Sequence, residues 1–117
     1  MLIAGSLFLY SGCQMPVSAP AAGEAYTDGV LNATLTSNYA AVLTATNKAF
    51  DQLHFAKAEE KRDAVSNTLT THTPAGDQVE VVVTKIDESS IKVGIHVGSF
   101  GDESLSMMVL DKIREDL

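Results

Sequence analysis

The side chain best suited to covalent chemistry is the thiol of Cys13, the only cysteine among the 117 residues. It follows two small residues, Ser11 and Gly12, and the apolar run MLIAGSLFL at residues 1–9. Residues 1–12 are too few for a membrane-spanning helix, which needs roughly 20 residues, but they suit the apolar core of a secretory signal. An apolar run that ends in small residues and a cysteine is typical of a lipobox, in which the cysteine is acylated and the preceding peptide is removed. We therefore expect a signal peptide at residues 1–12 and lipid attached to Cys13.

Two features of this segment depart from a common lipobox. Tyr10 stands where Leu is usual, and no Lys or Arg precedes the apolar run. The alternative interpretation is a buried N-terminal strand or helix in which Cys13 is an ordinary core residue. Acylation is favoured because the position of the cysteine, the length of the apolar run and the lack of any second cysteine coincide. Two acyl chains would hold the protein stably at a membrane, whereas one chain would bind only marginally.

The segment after Cys13 reads QMPVSAPAAGEAYTDG and combines two prolines with small residues. Because this composition is typical of a linker, we expect a flexible tether at residues 13–25 and a single domain at residues 26–117. Gln14 stands where an Asp retains lipoproteins in the inner membrane of enteric-type bacteria. The sequence therefore favours a lipid-anchored protein of the bacterial cell envelope, at the outer membrane facing the periplasm rather than at the inner membrane.

Other residues that could do chemistry lack the spacing that catalysis or metal binding needs. The histidines are His54, His72 and His96. They form no i,i+4 pair and no H-E-x-x-H pattern, so we expect surface histidines and no metal site. The acidic pairs Glu59-Glu60 and Asp87-Glu88 are predicted in solvated turns, where carboxyl pKa values stay ordinary. No serine has the G-x-S-x-G context of a hydrolase, and we expect no enzymatic activity and no cofactor.

One glycine-rich segment, Gly98-Ser99-Phe100-Gly101 followed by Asp102, could bind a phosphate at a helix N-terminus. However, the carboxylates of Asp102 and Glu103 would repel an anion at that position. A corner between a strand and a helix explains the same residues, because Gly98 and Gly101 permit a positive φ and Asp102 can cap the helix. We therefore expect a structural role for Gly98, Gly101 and Asp102.

The charge of the chain excludes one class of partner. There are 15 acidic and 8 basic residues, and the formal net charge of −7 lies entirely on residues 24–117. A nucleic-acid-binding surface needs an excess of Lys and Arg, so we expect no nucleic-acid partner. The partners that remain are the membrane through acylated Cys13, an envelope protein, and a small hydrophobic ligand.

Hydrophobic periodicity predicts the elements that carry these residues. Thr and Val enrichment predicts a strand over residues 27–36, and apolar residues at spacings of three and four predict a helix from Asn38 to Leu53. Further strands are predicted over residues 55–59, 64–73, 79–86 and 91–97, with turns at residues 60–63, 74–77 and 87–90. A second helix would begin after Asp102.

Consecutive strands with short turns indicate an α+β fold in the order β-α-β-β-β-(β)-α, where the short strand at residues 55–59 is optional. The expected architecture is a curved antiparallel sheet with two helices packed on one face. Residues 91–97 alternate strictly between apolar and other side chains, which predicts one buried and one solvated face. The Thr-rich segment at residues 68–73 is interpreted as an edge strand, either open to a partner strand or protected by solvent.

The block Ile95-His96-Val97-Gly98-Ser99-Phe100-Gly101-Asp102-Glu103, with Leu105 and Ser106 behind it, resembles a block of a bacterial lipoprotein family, the domain of unknown function family 3568. The Tyr39-Ala40-Ala41 helix start, the Asp63-Ala64 strand start and the Gly76 turn also look similar. His96 stands where the family often has Arg. The resemblance covers roughly residues 26–117 and implies a lipid-anchored envelope protein with no assigned activity. It supplies no catalytic residues.

Two hypotheses remain for the domain. It is either a non-enzymatic interaction domain that recognises a protein through an exposed sheet face or edge, or a binding module with an apolar pocket between the sheet and the first helix. The ligand of such a pocket would be a lipid or another small hydrophobic molecule. A cavity of a few hundred Å³ between sheet and helix would favour the binding module, and a solid core would exclude a ligand there.

Overall fold

The computed structural model describes residues 24–117. The predicted signal peptide, Cys13 and the predicted tether up to residue 23 lie outside the described residues. The strands of the described part are β1 (Glu24–Thr27), β2 (Val30–Thr36), β3 (Glu59–Arg62), β4 (Ser66–His72), β5 (Gln78–Asp87) and β6 (Ser90–Val97). Helix α1 (Tyr39–Gln52) lies between β2 and β3, and helix α2 (Glu103–Glu115) follows β6.

The six strands form one antiparallel sheet in the spatial order β1-β2-β6-β5-β4-β3. From β3 to β6 each strand pairs with the next one along the chain. β6 also pairs with β2, so the N-terminal hairpin joins the sheet beside a strand that is far away in sequence. The α+β class and the antiparallel sheet predicted from the sequence are confirmed.

Alternation along the strands gives the sheet a buried face and an open face. The central strands β5 and β6 carry side chains that are no more than 1% exposed on the buried face: Val79, Val81, Val83, Ile91, Val93, Ile95 and Val97. Lys92, Gly94 and His96 lie between them on the other face, as the period of two predicts. Within residues 24–117, both helices pack on the buried face: α1 contacts β5, and α2 contacts β6 and β2.

The layer between sheet and helices is filled by apolar side chains. α1 contributes Val42, Ala45, Ala49 and Phe50, and α2 contributes Val109, Leu110 and Ile113; all are 2% exposed or less. Burying a side chain such as Val42 or Ile113 stabilises the fold by roughly 1.5–3 kcal/mol. The buried side of α2 also includes the polar residue Ser106, whereas Leu117 after the end of the helix is 47% exposed.

Both ends of α1 are closed by hydrogen bonds to the backbone. At its start, the amide oxygen of Asn38 accepts a hydrogen bond from the N–H of Ala41 at 2.8 Å. At its end, the N–H of Phe55 donates to the carbonyl of Phe50 at 2.9 Å, and the N–H of His54 donates to Asp51 at 3.1 Å. This pattern is a Schellman motif, and it places His54 in the left-handed region with φ 62°.

The prediction of one strand over residues 27–36 was wrong in one respect, because a turn divides it. Asp28 and Gly29 both have positive φ, 53° and 82°, which is the conformation of a two-residue hairpin turn. The strand before this turn is β1, so Glu24 and Ala25 belong to the sheet and not to the predicted tether.

The predicted turn at residues 60–63 was also wrong. Residues 60–62 lie in β3, whereas only the last residue of the strand predicted at 55–59 is in a strand. All four side chains of β3 are exposed, since β3 is the outer strand of the sheet beside β4, and charge is tolerated at a sheet edge. The Thr-rich segment, which was predicted as an edge strand, lies in the interior of the sheet, because β4 pairs with β3 on one side and with β5 on the other.

No helix within residues 24–117 is long and apolar enough to cross a membrane.

Candidate functional site

Gly98, Gly101 and Asp102 lie together where β6 leads into α2. Gly98 and Gly101 have positive φ, 74° and 88°. The carboxylate of Asp102 accepts a hydrogen bond from the N–H of Leu105 at 3.0 Å and caps α2. This arrangement satisfies the helix N-terminus from within the chain, and Asp102 and Glu103 put negative charge there.

Gly101 also contacts the hairpin turn between β1 and β2. A Cβ atom at Gly101 would lie 2.5 Å from Cα of Gly29 and 2.5 Å from the hydroxyl oxygen of Tyr26. A Cβ atom at Gly29 would lie 3.1 Å from the carbonyl oxygen of Phe100. The two loops therefore pack backbone against backbone, and the corner joins the N-terminal hairpin to α2.

The histidines lie at two places in the fold. His54 ends α1, while His72 and His96 line a depression of about 500 Å³ at the end of the sheet, together with Asp77 and Gln78. No group of three or more His, Cys, Asp or Glu side chains suited to a metal ion occurs among the residues that the structure describes. His72 and His96 are 24 residues apart in the sequence, but they line the same depression.

The two acidic pairs lie in different parts of the sheet. Glu59 pairs with Thr70 and Glu60 with Leu69, so the two side chains lie on opposite faces of β3. Asp87 ends β5, and its carboxylate accepts a hydrogen bond from the N–H of Ser89 at 2.9 Å. This bond lowers the pKa of Asp87 below its ordinary value, which differs from the ordinary pKa predicted for a solvated turn.

A groove of about 590 Å³ lies between the start of α1 and the adjacent end of the sheet. We call it the α1 groove. One wall is formed by Tyr39, Ala40 and Leu43 of α1. The other wall is formed by residues 62–65, Asn67 of β4, and Lys85 and Ile86 of β5.

A chain of hydrogen bonds fixes the floor of the α1 groove. The hydroxyl of Tyr39 donates to the side-chain oxygen of Asn67 and also lies 3.3 Å from the carbonyl oxygen of Val83. The side-chain N–H of Asn67, which is 1% exposed, donates to the carboxylate of Glu60. These bonds connect α1 with three strands of the sheet, so the position of the groove walls is determined by the fold.

Burial and charge act on Tyr39 in opposite directions. Burial of the hydroxyl raises its pKa, the nearby guanidinium of Arg62 lowers it, and the carboxylate of Glu60 raises it. The net effect is a raised pKa, so Tyr39 is a neutral hydrogen-bond donor at neutral pH.

Sequence reasoning did not find this groove. The sequence predicts Tyr39 in the first helix and Asn67 in the strand over residues 64–73, and nothing in their spacing links them. Exposed Val65 and Ile86 were the available signal, since both are apolar residues at predicted strand ends.

The open face of the sheet has an uncharged row across its middle. Asn32, Gly94, Val82 and Thr68 lie side by side on four neighbouring strands. Because Gly94 has no side chain, a depression of about 200 Å³ lies there. A Cβ atom at Gly94 would lie 3.2 Å from the side-chain oxygen of Asn32. Charged side chains, including Glu80 and Lys92, flank this row.

The family of the chain follows from a sequence comparison. The model of the family described as "Protein of unknown function (DUF3568)" matches residues 1–116. The chain belongs to the DUF3568 family. The resemblance inferred from the block around Gly98, Gly101 and Asp102 is thereby confirmed. No curated protein matches the chain.

The DUF3568 match assigns no activity to the chain, because the family is described as one of unknown function. It includes the corner from Gly98 to Asp102, where Gly98 and Gly101 have positive φ and Asp102 caps α2. It also includes residues 1–23, which precede the described part of this DUF3568 protein.

Proposed function

We propose that this protein is lipid-anchored in the bacterial cell envelope through acylated Cys13. The observation that carries the proposal is the uncharged segment that ends in two small residues and the only cysteine of the chain. The family match supports it, because that match extends over the same segment. Gln14 favours the outer membrane, with the domain facing the periplasm.

Metabolic labelling with a palmitate analogue tests the anchor. The wild type is expected to incorporate the label and to sediment with membranes, whereas Cys13→Ala is expected to lose the label and to be released. Ser11→Ala keeps a small residue before the cysteine and serves as the matched control, which should be labelled like the wild type. Equal labelling of the wild type and Cys13→Ala would contradict the proposal.

The domain is proposed to be a non-catalytic interaction module that presents its open face to an envelope protein. Within residues 24–117 neither helix packs on this face. The uncharged row through Gly94 with charged residues around it matches the usual anatomy of a protein interface, whose centre is depleted of charge. The polar groups that do converge, Tyr39, Asn67 and Glu60, are hydrogen-bonded to one another on the other side of the sheet.

Site-specific photocrosslinking in intact cells tests this interface. A crosslinking residue in place of Thr34 or Thr84 on the open face is expected to give a discrete protein adduct. The matched control is Thr44, which is exposed on α1. Adducts of equal yield and size from Thr44 and Thr84 would show that the open face has no special role.

The second candidate function is the binding of a small hydrophobic ligand. The centre of the layer between the sheet and the helices is filled by buried apolar side chains, so an enclosed pocket has no room there. The α1 groove supports a different location, because its volume of about 590 Å³ lies within the roughly 300–1,000 Å³ of small-molecule sites.

A further inference from the structure

We infer that the α1 groove binds an anionic amphiphile, with its apolar chain on the apolar wall and its acidic head near Arg62 and Lys85. The inference rests on the second candidate function and adds to it the chemical class of the ligand.

The apolar wall of the groove is unusually exposed. Val65 is 58% exposed and Ile86 is 55% exposed. The backbone holds them close to each other, because the N–H of Lys85 donates to the carbonyl of Val65 at 2.9 Å. With the half-buried side chain of Leu43 across the groove, they form apolar surface on both walls.

An irregularity in the sheet directs two consecutive residues, Lys85 and Ile86, toward the groove. In the ladder between β5 and β6, Lys85 pairs with Ile91 and Asp87 with Ser90, which leaves Ile86 out of the pairing. In a regular strand, Lys85 and Ile86 would point to opposite faces. Both line the groove, so a cationic side chain lies directly beside an apolar one.

The charge of the lining favours an acidic head. Arg62 and Lys85 line the groove together with one carboxylate, Asp63, while the carboxylate of Glu60 accepts the hydrogen bond from the side chain of Asn67 at the floor. Among the described residues, neither Arg62 nor Lys85 has a salt-bridge partner within 4.0 Å. The carboxylate of Asp63 accepts a hydrogen bond from the N–H of Ala64 at 2.7 Å.

The helix that forms one wall adds to this preference. The first turn of α1 has no acidic residue and its cap is the neutral Asn38, so its partial positive charge is not compensated by a carboxylate. α2 differs, because Asp102 and Glu103 lie at its start.

The other depressions lack this combination. The one at His72 contains Asp77 and no Lys or Arg, and the one around Gly94 has one Lys against one Glu. A fourth depression, beside the end of α1, carries two carboxylates, Asp51 and Glu60, against Lys57. Of these four, only the α1 groove has more Lys and Arg than Asp and Glu residues, in a chain whose net charge is −7.

The test is a titration of the full chain carrying Cys13→Ser, followed by the backbone amide resonances. Three probes are compared: dodecanoate and dodecyltrimethylammonium, each below its critical micellar concentration, and acetate. Dodecanoate is expected to give saturable shifts at residues 39–43, 62–65 and 85–86. Dodecyltrimethylammonium should bind more weakly than dodecanoate, and acetate should leave these resonances unchanged.

Variants divide the contribution of the apolar wall from that of the cations. Val65 and Ile86 are exposed, so Val65→Ser and Ile86→Ser should keep the fold. Each substitution should weaken dodecanoate binding by about tenfold. Lys85→Gln and Arg62→Gln should each weaken it about two- to fivefold. Lys92→Gln on the open face makes the same charge change and should have no effect.

Three outcomes overturn the inference. Equal binding of dodecanoate and dodecyltrimethylammonium in the groove would leave ligand binding in place and refute the anionic class. No saturable shift with any probe would refute both. Equal effects of Lys92→Gln and Lys85→Gln would refute the role of the groove cations. None of these results changes the labelling of Cys13 or crosslinking from Thr84, which report on the anchor and the open face.

Discussion

Among the glycines of residues 24–117, Gly101 has the least room for a larger side chain. It combines a φ of 88° with contacts that a Cβ atom would violate, to Gly29 and to Tyr26. These contacts involve backbone atoms of Gly29, which cannot rotate away. The family block that contains Gly101 therefore has a steric explanation, independent of any phosphate.

We predict that Gly101→Ala lowers the free energy of unfolding by about 3 kcal/mol, because overpacking adds to the cost of a positive φ. Gly76→Ala is the control. Gly76 has a similar φ of 95°, but a Cβ atom there would meet nothing within 4 Å. It should cost only about 1 kcal/mol. Urea unfolding measures both values, and equal losses would refute the packing argument.

Ser106 is a polar residue at a core position of α2. It is 0% exposed, and its hydroxyl has no hydrogen-bond partner among residues 24–117. We predict that Ser106→Ala raises the free energy of unfolding by about 1 kcal/mol, since a buried hydroxyl without a partner is costly. Ser104→Ala on the exposed side of α2 controls for helix propensity. A gain for Ser106→Ala no larger than for Ser104→Ala in chemical denaturation would count against this explanation.

At the scale of elements, the end of α1 holds a residue that is poorly suited to its conformation. His54 occupies the left-handed position of the Schellman motif, where glycine is usual. Nothing in the apolar pattern of the helix showed this, because the pattern predicts where a helix lies and not how its last turn closes.

We predict that His54→Gly raises the free energy of unfolding by about 0.5–1 kcal/mol, because glycine adopts a positive φ without strain. Lys48→Gly, in the interior of α1, should instead lower it by about 1 kcal/mol. Thermal unfolding of both variants provides the measurement. A destabilised His54→Gly would mean that the side chain of His54 contributes more than its backbone strain costs.

The strands show how far local patterns reach. The alternation in residues 91–97 was sufficient to predict which side chains of β6 are buried. Side chains of a strand point to alternate faces, so when one face is buried the apolar set must lie on that face. The β3 strand could not be predicted in this way, since all its side chains are charged and exposed. Its identity depends on pairing with β4, a tertiary contact.

The same limit applies to the candidate site. Tyr39 and Asn67 are 28 residues apart, and their hydrogen bond exists because α1 crosses the sheet beside β4 and β5. The turn at Asp28-Gly29 is a different case. Asp-Gly is a strong signal for a two-residue hairpin turn. The Thr and Val residues around it favour a strand, and the sequence prediction of one continuous strand over residues 27–36 followed that signal instead.

At the scale of the whole molecule, an ion pair joins the first strand to the last helix. Arg114 of α2 binds the carboxylate of Glu24 in β1, and the side chain of Glu24 is 1% exposed. Loss of one partner of a buried ion pair leaves the other charged group without its counterion.

We predict that Arg114→Gln lowers the free energy of unfolding by about 2 kcal/mol and increases hydrogen exchange in β1. Lys112→Gln removes a pair on the same helix whose side chains are 33% and 65% exposed, and it should change stability by less than about 0.5 kcal/mol. Equal effects of the two substitutions would show that burial of Glu24 does not matter.

The position of β2 beside β6 also has a consequence for how the protein forms in the cell. Val30 pairs with His96 and Thr36 with Ser90, so β2 is synthesised about 60 residues before its partner. Until then the N-terminal hairpin can form its own turn, but one edge of β2 lacks the strand that pairs with it. The sheet can be completed only after nearly the whole chain has emerged, and the time between the two events is the period in which β2 is most open to pairing with other chains.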